Sequence, residues 1–161
     1  MWDHGVLIES ARITYAQGAI AGLCGGVAMA LAMAALSWAA GEGLWLLPRR
    51  LGAIVLGPAA LERNGNVTLA FGLALHLALS AAFGALFASI ADGLTHEFWM
   101  TALAYALALW VVNFWGARFT PGGRTIEKLK TSWLGPIAHL VYGGVLAAIA
   151  VMYAAAGIHS A

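Results

Sequence analysis

The chain has 161 residues, 62% hydrophobic and only 9% charged, with a formal net charge of +1. Soluble domains are about half apolar and about a quarter charged, so a water-soluble globule is excluded and a lipid bilayer is the expected solvent. The single cysteine, Cys24, excludes an intrachain disulfide, no Cys/His cluster has zinc spacing, and the scattered basic residues exclude nucleic-acid binding.

Residues 1–12 form a short polar lead with no basic region before a brief apolar core, so no cleavable signal peptide is expected. Spanning a bilayer as a helix takes about 20 apolar residues, because every backbone polar group must be satisfied within the segment. Four stretches meet that requirement without an Asp, Glu, Lys or Arg: 14–40, 67–90, 98–117 and 133–156. The expected fold is an all-α integral membrane bundle of four transmembrane helices forming one domain over residues 1–161.

Between the first two spans, residues 44–61 are apolar apart from Pro48, Arg49 and Arg50. They are too short to cross, and the Gly57-Pro58 step breaks a helix, so they are expected to be interfacial, re-entrant or packed against the bundle. Asn64-Gly65-Asn66 turns the chain into the second span. Between the third and fourth spans, Pro121-Gly122-Gly123 supplies a turn. The cations Arg49, Arg50, Arg124, Lys128 and Lys130 are expected to meet lipid headgroups.

The first and third connections lie on one side and hold seven of the eight basic residues, leaving Arg12 opposite. The positive-inside rule makes that side cytoplasmic, with both termini and the connection bearing Asp92 and Glu97 outside. Trp2 and Trp99 would then mark the outer interface, and Trp38, Trp45, Trp115 and Trp133 the inner one.

Helices in lipid associate where small residues let backbones approach. Gly18, Gly22, Gly26, Ala30 and Ala34 form such a ladder in the first span, and Gly72, His76, Ser80, Gly84 and Ala88 in the second. Gly135, His139, Gly143 and Ala147 form one in the fourth. The Gly-x-x-x-His-Leu pattern recurs at an offset of 63 residues, which suggests tandem duplication of a two-helix unit. A parallel repeat of that kind has its axis along the membrane normal.

His76 and His139 are the intramembrane ionisable residues, and such residues mark a functional-site hypothesis. At about 1.5 Å per residue, both lie roughly 10 to 15 Å above the inner boundary. They can hold a b-type haem by its two axial positions, or serve as interhelical hydrogen bonds with Ser80, Tyr105, Asn113 or Tyr142 as partners. The spans carry no carboxylate of the kind that couples active transport to protons or sodium. Met29 and Met33 fit gap-filling packing, and Cys24 has no base beside it to activate it.

Three segments carry a family likeness: Gly-Ala-Ile-Ala-Gly at 18–22, Leu-Pro-Arg-Arg-Leu-Gly-Ala-Ile-Val-Leu-Gly-Pro-Ala-Ala-Leu at 47–61, and His-Leu-Val-Tyr-Gly-Gly at 139–144. In these the chain resembles small four-span bacterial inner-membrane proteins of unknown function. The likeness implies a bacterial inner membrane and brings no active site. The ladders exceed what four short spans need internally, which points to partners or copies. The expected function is a non-catalytic accessory or scaffold subunit of a larger membrane complex, with no cofactor, other membrane subunits or a homo-oligomer as partners, and lipid contact. The alternatives are a bis-histidine b-haem electron-transfer subunit and an oligomeric passive channel or small-solute carrier.

Overall fold

The computed structural model describes residues 13–63, 65–91, 98–124, 126 and 133–155, most of them helical. The helices are α1 (Tyr15–Ala39), α2 (Leu46–Leu56), the single turn α3 (Ala60–Arg63), α4 (Gly65–Ala91), α5 (Phe98–Ala117) and α6 (Leu134–Ala155). Four of them, α1, α4, α5 and α6, are long and apolar enough to cross a membrane. The chain is therefore an all-α, multi-pass membrane protein built on a four-helix bundle. Each expected span matches its helix to within two residues at either end.

Local chemistry sets the helix ends. Thr14 caps α1 with a full capping box: its hydroxyl accepts from Gln17 N at 3.2 Å, and Gln17 Oε1 accepts from Thr14 N at 2.8 Å. After Ala39 the chain turns through Gly41 and Gly43, at φ 74° and 81°, where a residue with a Cβ would be strained. Gly57, at φ 85°, ends α2 and donates its N–H to Ala53 O at 2.9 Å. Pro48 and Pro136 both stand in the first turn of their helices, where no intrahelical N–H is needed.

The helices are not packed as a closed square. α5 packs on α6, α6 on α1, α1 on α4, and α4 on α2, whereas α4 and α5 barely touch. A perfect two-fold relating α1–α4 to α5–α6 would make the α4–α5 contact equal to the α1–α6 contact. The first is nearly absent and the second extensive, so any duplication has lost its symmetry in packing.

The glycine rungs of all three ladders are occupied by helices of the same chain. A Cβ on Gly18 would stand 2.5 Å from Gly84 O and 3.0 Å from Ala88 Cβ, and one on Gly22 would stand 2.7 Å from Gly84 Cα. Gly26 faces Ser80 in the same way, so Gly18, Gly22 and Gly26 interlock with Ser80 and Gly84. Gly25, one residue off that ladder, lies against Tyr142 of α6. Gly143 meets Ala102 and Ala106 of α5, and Gly135 meets Trp110. The expectation that these ladders exceed internal needs is corrected: four helices in an arc with α2 added use each of them.

Gly72 belongs to a different joint from the one its ladder implied. It faces Pro48 and Gly52 of α2, and Gly52 in turn faces Thr68. The pairs 48 with 72 and 52 with 68 make α2 antiparallel to the first turns of α4. The apolar segment at 44–61 thus packs lengthwise against the bundle. Gly72 is the eighth residue of α4, about 10 Å from its start at about 1.5 Å per residue.

Candidate functional site

The upper halves of the spans close on a continuous core. Phe87, Ala102, Ala106, Leu146, Ala147 and Ala150 are fully buried there. Across the α4–α5 seam, Tyr105 donates its hydroxyl to Phe83 O at 2.7 Å and its ring lies 5.4 Å from that of Phe87. Below this bridge the seam opens into a cavity of about 450 Å³.

Five elements line the cavity. α1 contributes Met29, Ala30, Met33 and Ala34, and α2 contributes Leu47, Pro48, Leu51, Ile54 and Val55. From α4 come Leu73, His76, Leu79, Ser80 and Phe83, from α5 Leu109, Val112, Asn113 and Phe114, and from α6 Ala138, His139 and Tyr142. Val55, Leu79 and Val112 are at once lining residues and exposed on the outer surface, at 47%, 42% and 60%. The cavity therefore opens sideways, between α4, α5 and α2, with Gly116 also exposed on its rim.

The two histidines lie at one level. Gly25 meets Tyr142 while the adjacent Gly26 meets Ser80, which puts residues 142 and 80 side by side and His139 and His76 about one turn inward of them. Both rings line the same cavity. Their partners are not the side chains expected from sequence. His76 Nε2 donates to Gly26 O on α1 at 2.9 Å, joining two helices. His139 Nδ1 donates to Gly135 O at 2.8 Å, on its own helix, so it makes no interhelical bond. The physical reason is the ladder itself, because a glycine leaves its neighbouring carbonyls uncovered and an imidazole on the facing rung can reach them.

Three of the expected side-chain partners instead bind backbone carbonyls. Ser80 Oγ donates to His76 O at 2.7 Å and Tyr142 OH donates to Ser80 O at 3.0 Å. Tyr105 takes Phe83 O, as above. Asn113 is half-buried on the α5 wall and faces the cavity.

A carbonyl oxygen can only accept, so the ring nitrogen that meets it carries the hydrogen. In the neutral rings this leaves His76 Nδ1 and His139 Nε2 as acceptors. Among the described residues the fully enclosed side-chain nitrogens and oxygens without a partner are Arg49 Nε and Trp110 Nε1. The free histidine nitrogens are not in that set, so open space adjoins them.

The cations sort as follows. Arg49 and Arg50 are half-buried at the start of α2, and Arg124 is exposed. Lys128 and Lys130 lie outside the described residues, as do Arg12, Asp92 and Glu97. Arg118 stacks over Trp115 and Phe119 at 5.1 and 4.6 Å, and Trp38, Trp45 and Trp133 are exposed. The described His, Cys, Asp and Glu residues form no group of three able to hold a metal ion. Cys24 is exposed on α1 and lies off the cavity.

Comparison of the chain with protein-family models, with curated proteins and with solved structures found no match.

Proposed function

We propose that the protein is a non-catalytic accessory subunit of a membrane assembly, acting by binding and holding rather than by chemical turnover. One observation carries this. The hydrogen-bonding side chains His76, Ser80, Tyr105, His139 and Tyr142 all donate to backbone carbonyls, and three of those bonds join different helices. A group fixed in a structural bond is poorly placed to move protons in a reaction, whereas such bonds hold helices in one arrangement. The peripheral α5, packed on α6 alone over most of its length, offers Leu107, Val111 and Trp115 to a neighbouring helix or to lipid. Extraction from native membranes in a gentle detergent, followed by native mass spectrometry, tests this: a defined species heavier than the 16.7 kDa chain is expected. A lone monomer under every condition contradicts it.

We further place the protein in a bacterial inner membrane, with the Arg- and Trp-rich end in the cytoplasm and both termini outside. This rests on the seven-to-one distribution of basic residues and the Trp belt. In intact cells, cysteine at Ser160 should react with an impermeant maleimide while cysteine at Glu42 should not. The reverse pattern overturns the orientation.

Electron transfer through a b-type haem is the second reading, favoured by two histidines at one level on one cavity. Against it, His76 Nε2 is engaged by Gly26 O, and axial ligation through that atom requires the bond to break. A Soret band in the purified protein, lost on His139→Gln, would establish it in place of the first.

A further inference from the structure

The polar part of the cavity has an unusual bias. On its deep wall, His76, Ser80, His139 and Tyr142 each direct their bound hydrogen to a carbonyl. What these cavity-lining side chains retain is lone pairs: Nδ1 of His76, Nε2 of His139 and the two hydroxyl oxygens. Among the described residues, Asn113, further inward on α5, is the one lining side chain with amide hydrogens to offer. The other described residues around it are apolar, apart from Thr120, whose hydroxyl donates to Ala117 O.

Such a wall repels groups that only accept. A phosphate, an ester or a ketone would set its oxygen lone pairs against those of the histidines, leaving both sides unsatisfied in a medium without water to repair the loss. A hydroxyl has the hydrogen the wall lacks. The volume, about 450 Å³, falls in the range of small-ligand sites, roughly 300 to 1,000 Å³, and the exposed Leu79 and Val112 on its rim belong to helices long and apolar enough to cross a membrane. Size, access and hydrogen-bond polarity therefore describe a single ligand class.

We propose that the cavity binds a neutral single-chain membrane lipid ending in a hydroxyl, which enters between α4 and α5 and donates its O–H to His76 Nδ1 or His139 Nε2. The site does not depend on the accessory role. A lipid bound without a partner subunit, or a partner subunit without a lipid, would separate the two proposals.

The test uses the full chain in lipid nanodiscs, with tritiated farnesol as probe and unlabelled farnesol or its methyl ether as competitor. The ether keeps the chain and the oxygen but loses the hydrogen. Wild type is expected to prefer the alcohol by about tenfold or more, the factor that one buried hydrogen bond commonly contributes. His139→Leu and His76→Leu remove the acceptors one at a time. At least one should bring the alcohol and the ether within about twofold while binding of the ether is kept. Tyr105→Phe, which removes a bond outside the cavity, should leave the preference unchanged. Equal displacement by alcohol and ether in wild type overturns the proposal, as does a preference that survives both histidine variants, or absence of saturable farnesol binding. Should His76→Leu fail to fold for want of its bond to α1, His139→Leu, whose bond lies within one helix, still decides the matter.

Discussion

Two halves of this bundle, an outer one at the start of α1 and the end of α4 and an inner one at the α2 end, are made of the same residue types and pack in opposite ways. In the outer half, Gly18 and Gly22 on α1 meet Gly84 and Ala88 on α4, Gly143 meets Ala102 and Ala106, and Phe87 closes the centre without exposed surface. In the inner half, α2 lies beside α4, the α4–α5 seam parts, and a cavity remains with two histidines in its wall. The α1 ladder runs through both: Gly18 to Gly26 lie on α4, while Ala30 and Ala34, the next rungs, line the cavity. Small residues thus permit close approach without enforcing it. Association in lipid needs a facing surface that fits, because no hydrophobic force drives helices together there.

The largest effect is expected where backbones touch. Gly84→Leu would drive four carbons into Gly18 and Gly22, contacts made by main chain that cannot move aside. A loss above about 4 kcal/mol, or failure to accumulate folded protein, is expected in an unfolding titration in mixed micelles. Near-wild-type stability would show that the outer half is looser than described. Gly72→Leu probes the other glycine joint, against Pro48 and Gly52, and should free α2 while the four spans stay folded. Limited proteolysis would report this as new cleavage in 40–64, with the spans protected; global unfolding would mean that α2 is part of the core.

Smaller losses follow from single hydrogen bonds. Tyr142→Phe and Tyr105→Phe each remove one bond to a carbonyl of α4, and each should lower stability by about 0.6 to 1.7 kcal/mol. Tyr105 bridges the α4–α5 seam just above the cavity, so its loss should also speed exchange of a bound probe through that seam. Equal exchange in the two tyrosine variants would argue that the seam is not the entrance.

Much of the fold was legible because apolar runs free of charge have one solution in a bilayer. The ends of α5 were legible for that reason. Which helix meets which was not. Gly72 shares a ladder with Gly84 by spacing, yet one faces α2 and the other α1, because a segment too short to span still packs lengthwise. The histidines were recognisable as residues that need partners, and their shared level followed from helix rise. Their partners, Gly26 O and Gly135 O, are main-chain atoms that every residue possesses, so residue type could not single them out. The cavity was illegible for a related reason: it arises where α4 and α5 fail to pack, and a failure of contact between helices leaves no residue pattern of its own.

Two substitutions that add the same three carbons give the most direct measure of the difference between the halves. Ala88 is buried against Gly18 in the outer half, and Ala34 lines the inner cavity. Unfolding of Ala88→Leu and Ala34→Leu, measured side by side in the same micelles, should give a loss of about 1 to 3 kcal/mol for the first, the range typical of overpacking, and a change within about 1 kcal/mol for the second. Equal losses at the two positions would contradict an inner half that is open.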